Sequence, residues 1–128
     1  MKDLYSNIGV APALAPAVQA SATTTPALDL QRWGAVVYAV TTGAIVGDGD
    51  FGVTLQHSDT TTSGDFVDVP PALVESNAPE TLDAASGYKL GYKGGKRYVR
   101  LSLTKEGGTS IAAGAVAILG YPDVAPVS

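Results

Sequence analysis

The 128-residue sequence carries eight basic and twelve acidic side chains, one histidine and no cysteine, for a formal charge of −4. That length supports one hydrophobic core and not a two-domain enzyme with an interdomain cleft. The missing thiols exclude disulfide scaffolds, thiolate zinc sites, iron–sulfur clusters and cysteine nucleophiles. Charged residues make up only 16% of the chain, against a usual ~25%, and 15 Gly and 8 Pro punctuate it, the profile of a weakly charged globular domain rich in turns. A net acidic balance argues against nucleic acid as a partner, and no apolar run approaches the roughly 18 residues of a membrane-spanning helix.

Residues 1–17 (MKDLYSNIGVAPALAPA) show no sustained period and carry Pro12 and Pro16. Proline fixes φ and pushes its predecessor toward extended geometry, so this stretch reads as an extended arm preceding the folded domain. It does not read as a signal peptide, because Lys2 is followed at once by Asp3 and the prolines break the apolar stretch. Leu4, Tyr5, Ile8, Val10 and Leu14 are too many apolar groups for a tail meant only for water, and docking on a partner is the expectation. Leu4, Tyr5, Ile8 and Leu14 are its contact candidates.

Residues 18–121 read as short strands. In 35–41 (AVVYAVT), Val36, Tyr38 and Val40 share one face, and β-branched and aromatic residues dominate. Phe51, Val53, Leu55 and His57 alternate with small or polar residues, the period-two pattern of a half-buried strand. Residues 97–103 repeat it, with Val99, Leu101 and Leu103 inward. Less regular strand candidates are 18–23, 27–30, 66–69, 80–84 and 88–92. Turn chemistry occupies 42–50, 58–65, Gly94-Gly95 and 106–109. Residues 111–119 (IAAGAVAIL) are Ala-rich enough for a helix. Gly114 and the lack of an N-cap favour a strand, and small residues on both faces suit one buried from both sides. About eight strands on one core predict an all-β, two-sheet antiparallel sandwich, a jelly roll first and an Ig-like Greek key second. Residues 122–128, with Pro122 and Pro126, are expected to form an extended tail.

Charge is unevenly placed. Residues 1–88 hold two basic residues and ten acids, whereas 89–105 hold six basic residues (Lys89, Lys93, Lys96, Arg97, Arg100, Lys105) and no acid. This stripe is either a solvated strand face or a complement to an acidic partner surface, another copy of the chain included. Lys93, Lys96, Arg97 and Arg100 are its interface candidates.

Chemical signatures are weak. His57 is the only histidine, so any His-dependent triad must use it, and no G-x-S-x-G elbow accompanies it. Asp48-Gly49-Asp50-Phe51-Gly52 departs from the calcium-loop pattern, because glycine stands where the third ligand belongs. Residues 91–97 (GYKGGKR) lack the glycine spacing and the Ser or Thr of a phosphate-binding loop. No enzyme activity, cofactor or metal is expected.

Three segments carry a resemblance: 1–8 (MKDLYSNI), 91–101 (GYKGGKRYVRL) and 115–122 (AVAILGYP). They are similar to a family of small head decoration, or cement, proteins of tailed bacteriophages, encoded beside the major capsid protein. Tyr121 departs from that pattern, which has histidine before the proline. The resemblance implies a jelly roll on the outer surface of an HK97-type shell, made in the bacterial host cytoplasm. It would be partnered by the major capsid protein and by itself as a homodimer or homotrimer, without nucleic acid or membrane. The rival reading is a virion-surface module for host glycans or cell surface, for which Trp33, Tyr88, Tyr92 and Tyr121 are the available aromatics.

Overall fold

The computed structural model describes residues 8–31 and 33–122. Ten strands run in chain order: β1 (Ile8–Gln19), β2 (Thr23–Thr24), β3 (Leu28–Asp29), β4 (Trp33–Val46), β5 (Asp50–Ser58), β6 (Val67–Asp68), β7 (Val74–Ser76), β8 (Gly87–Tyr92), β9 (Tyr98–Gly107) and β10 (Ser110–Pro122). One sheet has the order β1-β10-β4-β8-β7. The other has β2-β9-β5-β6, with β3 also pairing to β9. Every pairing is antiparallel. The chain changes sheets at most connections, and its first strand lies beside its last, so the fold is the jelly roll and not the Ig-like alternative.

The core follows the period-two faces. Val36, Tyr38 and Val40 of β4 meet Leu90 and Tyr92 of β8, Val99 and Leu101 of β9, and Leu55 of β5. Ala115 and Ala117 of β10 join this cluster, and their small side chains allow close approach of the sheets. A second cluster gathers Phe51, Leu82, Leu103, Ile111 and Ala113. The Tyr38 hydroxyl donates to the Val99 carbonyl across the sandwich at 3.3 Å. Among the described residues no buried side-chain nitrogen or oxygen lacks a partner, as a low-dielectric interior requires.

Several expectations change on contact with the fold. Residues 8–17 are extended as predicted, but they are not an arm outside the sandwich. They form most of β1 and pair with β10 from Ile8↔Gly120 to Gln19↔Ile111. Pro12 and Pro16 are accommodated because β1 is an edge strand, where a missing N–H need not break a ladder, and the register shifts beside them. Residues 42–46, which read as a turn, continue β4 because Ile45 and Val46 pair with Ile111 and Ser110. Residues 80–84 are not a strand: the loop inserts Leu82, 1% exposed, into the core and makes one backbone–backbone hydrogen bond, Leu82 N–H to the Phe51 carbonyl at 2.8 Å. The three-residue β7 has no clear signal in the sequence. The strand reading of 111–119 holds.

Two tight connections between the sheets, at 47–49 and 108–109, pack against each other. Gly108 has φ +77°, and a Cβ there would collide with the Asp48 carbonyl. Gly108→Ala is therefore expected to cost at least about 1 kcal/mol. Gly95→Ala, where nothing lies within 4 Å, should stay within about 0.5 kcal/mol of the parent. Urea unfolding of the two variants checks this, and equal midpoints would refute the close packing of the turns.

Candidate functional site

The β8–β9 connection and the turns around it gather most of the sequence-predicted polar candidates. Gly94 lies directly against the Tyr92 ring, where a Cβ would clash, so the chain folds back and the Lys96 N–H donates to the Tyr92 hydroxyl at 3.1 Å. The same hydroxyl lies 2.7 Å from His57 Nδ1, with the two rings edge-on at 89°. The Tyr92 hydroxyl thus accepts from Lys96 and shares a second hydrogen bond with Nδ1, whose donor is set by the imidazole tautomer. Burial first, and the Lys96 cation second, lower the His57 pKa, opposed by Asp59. Burial also raises that of Tyr92. The pair is a neutral structural hydrogen bond. Tyr92 supplies the only hydroxyl bonded to the ring among the described residues.

Three cations of the basic stripe are matched by acids of their own chain. Lys93 Nζ lies 3.1 Å from Glu75 and Lys96 Nζ 2.8 Å from Asp59. Arg97 forks onto Asp29, Nε to Oδ1 at 3.0 Å and Nη2 to Oδ2 at 2.9 Å, and also reaches Gln31 Oε1 at 2.8 Å. The Arg97 hydrogen bonds hold the Asp29 carboxyl below its ordinary range, and the Asp59 carboxylate raises Lys96. Arg100 donates from Nε to Gln56 Oε1 at 2.8 Å and stacks 4.3 Å above the Phe66 ring. All three acids come from the acid-rich part of the sequence, so folding closes the charge imbalance along the chain. These pairs are solvated and contribute little individually, yet they leave the stripe far less electropositive than its sequence suggests.

The arm candidates separate. Ile8 opens β1 and is half-buried opposite Gly120. Leu14 packs against both core clusters, so it serves its own sandwich and does not project to a partner. Leu4 and Tyr5 lie outside the described residues. The aromatics that a glycan platform needs are otherwise engaged: Tyr92 is buried, the Tyr88 hydroxyl accepts from the Asp83 N–H at 3.0 Å, and the Trp33 ring lies over Gly9. The Tyr121 side chain lies outside the described part. A cleft of about 430 Å³ is lined by Trp33, Tyr92 and Gln31 together with the ion-pair residues Asp59, Lys96 and Arg97. Among the described residues no cluster of three or more His, Asp or Glu side chains is placed to hold a metal.

One feature escaped the sequence reading. Strands β1, β10 and β4 are neighbours and contain no charged residue among them. Their register sets Val10, Ile118 and Val37 in one row and Pro12, Val116 and Ala39 in the next, on the face turned away from the core. Val10 is 64% exposed and Val116 39%. Antiparallel sheets ordinarily alternate apolar inside with polar outside, and here the outer side is apolar too. The signal was present in the small and β-branched residues on both faces of 111–119, but only pairing shows that its two neighbours share it.

No family model matches the chain, and no curated protein matches it. Among solved structures, a chain from the structure of infectious bursal disease virus, Gx strain, aligns over 93% of this chain and 34% of its own, at 13% identity and TM-score 0.49. The CBM22-1–GH10 modules of the Clostridium thermocellum endo-1,4-beta-D-xylanase 10B, complexed with xylohexaose, align over 97% of this chain and 28% of their own, at 11% identity and TM-score 0.44. The chain thus spans about a third of each.

The burial of His57 gives a pH dependence. The folded state binds a proton at His57 less readily than the unfolded chain, whose histidine titrates near the ordinary 6.5. Its contribution is complete above that value and declines as pH falls through the depressed folded one. The melting temperature should fall as pH is lowered below 6.5, and His57→Gln should flatten that slope. An unchanged slope in the variant would separate the effect from His57.

Proposed function

We propose that this chain is a non-enzymatic structural protein of a virion, which decorates and stabilises the outer surface of an HK97-type phage head by bridging neighbouring capsid subunits. The observation that carries the reading is the balance of its surface. Lys93, Lys96 and Arg97 of the basic stripe pair with acids of the chain, the one histidine is buried on a tyrosine, and three adjacent strands present an uncharged apolar face. Such a molecule is suited to contact and not to chemistry. The resemblance of residues 1–8, 91–101 and 115–122 to phage head decoration proteins supplies the finer identity.

The role needs rigidity and area. A jelly roll with both sheets closed on one core is a stiff slab, and each additional apolar contact across subunits adds stabilisation without any reaction. A symmetric shell repeats every contact many times, so modest sites add through avidity. In this reading the partners are the major capsid protein and further copies of the chain, and Leu4 and Tyr5 contribute to shell contact.

The test uses undecorated expanded shells and the purified full chain. Co-sedimentation and a higher disruption temperature of the shell are expected, and the Leu4→Ala, Tyr5→Ala double variant should bind more weakly while melting at the same temperature as the parent. Absence of co-sedimentation overturns the shell reading. Binding to glycans or host cells in its place would establish the rival.

A further inference from the structure

We infer that the outer face of β1, β10 and β4 is the self-association surface of this protein, and that its occupant is the same face of a second copy. The inference rests on the self-association part of the proposed function and is independent of the shell.

Strand β10 lies at the centre of this face, between β1 and β4. Its sequence is that of a strand buried from both sides, and in one chain only one side is covered: Ala113, Ala115, Ala117 and Leu119 face the core, while Ala112, Val116 and Ile118 line the outside. The outer rows extend through Val10 and Val18 of β1 and Val37 and Ala39 of β4. Three strands about 4.8 Å apart and about eleven residues long span roughly 500 Å² in plane before side-chain relief is added. That lies at the upper end of the apolar patches monomers leave exposed and approaches the ~800 Å² per partner of a standard interface.

Charge selects the occupant. A chain of net charge −4 repels its own copies over most of its surface, and this face is where two copies can meet without placing like charges in contact. An uncharged plane of Ala, Val, Ile, Pro and Gly, with Thr41 its exposed polar member, can meet its own copy, as an isologous two-fold contact demands. Its small side chains suit face-to-face packing of sheets at ~10 Å.

Edge-to-edge pairing is the competing route to a second copy, and the chain blocks it. The long edge strand β1 carries Pro12 and Pro16 and two register shifts. The other edges, β7, β2 and β6, are two or three residues long. Short, proline-bearing and irregular edges are how sheet proteins avoid end-to-end addition. Association is thereby directed to the face.

Light scattering across a concentration series, with the intact chain and no shell, tests the inference. The parent should have at least twice the monomer mass. Val116→Asp, on the central strand, and Val10→Asp, on the edge strand where a charge costs the fold least, should each bring it to monomer mass with an unchanged far-ultraviolet circular dichroism spectrum. Val67→Asp, equally exposed at 57% but on the opposite sheet, should leave the mass as it is. A parent that is monomeric at every concentration overturns the inference. Retention of the oligomer by a folded Val10→Asp variant does the same, and so does dissociation by Val67→Asp. If the parent is monomeric and Val10→Asp abolishes only shell binding, the face belongs to the shell, and the second copy is refuted while the decoration reading survives.

Discussion

The contact on which the rest of the structure depends is the pairing of the first strand with the last. β10 is held between β1 and β4 along most of its length, so segments roughly a hundred residues apart must meet before the sheet exists. Loop-closure entropy opposes such pairing, and burial of the row Ala113, Ala115, Ala117 and Leu119 against the opposite sheet compensates for it. The small size of that row matters. Gly114 lies within 3.0 Å of Pro16 at the position a Cβ would take, so a larger residue there would push β1 off the sheet edge at the proline that already weakens its ladder.

Electrostatics follow from the same topology. The chain separates its charges along the sequence, acids first and bases later, and the jelly roll brings the segments back together. Asp29 lies at the end of β3, Asp59 just beyond β5 and Glu75 in β7, and each meets a cation from the β8–β9 connection. A net count by segment therefore overstates the field that a partner would encounter. The three uncharged strands stay together on one side of the sandwich for the complementary reason: ionic groups are confined to strands and turns that need not be buried by anything.

Much of this fold was legible because period-two alternation is a local signal. The Val36–Tyr38–Val40 row, the Phe51–Leu55 row and the Val99–Leu103 row are all where the alternation placed them. What local pattern could not supply was partnership. Residues 8–17 looked like an arm because Pro12 and Pro16 forbid a central strand, and nothing within those ten residues reveals that an edge position was open to them. Residues 42–46 looked like a turn because Thr and Gly dominate, and only the pairing of Ile45 with Ile111 makes them strand. Leu82 sits in a loop whose sequence mimics a strand, although its role is to plug the second core cluster. The polar candidates behaved likewise: Lys93, Lys96 and Arg97 were identifiable as a cluster, but their acids are 18, 37 and 68 residues away.

The uncharged face draws these threads together, because no requirement of the single chain accounts for it. The core needs apolar residues on the inner rows of β1, β4 and β10. Solubility would be better served by Lys, Glu or Thr on the outer rows, which a strand accepts without loss of its inner face. Opposite, on β5 and β9, the outer positions do carry such residues, with Thr54, Gln56, Arg100 and Ser102 aligned by register. Two sheets in one molecule, folded by the same rules, thus differ in what their solvent sides are made of. The difference lies in composition and not in backbone geometry, and it falls on the sheet whose long edge strand carries Pro12 and Pro16. Under the proposed self-association, blunted edges and one broad apolar face direct the contact between copies to that face.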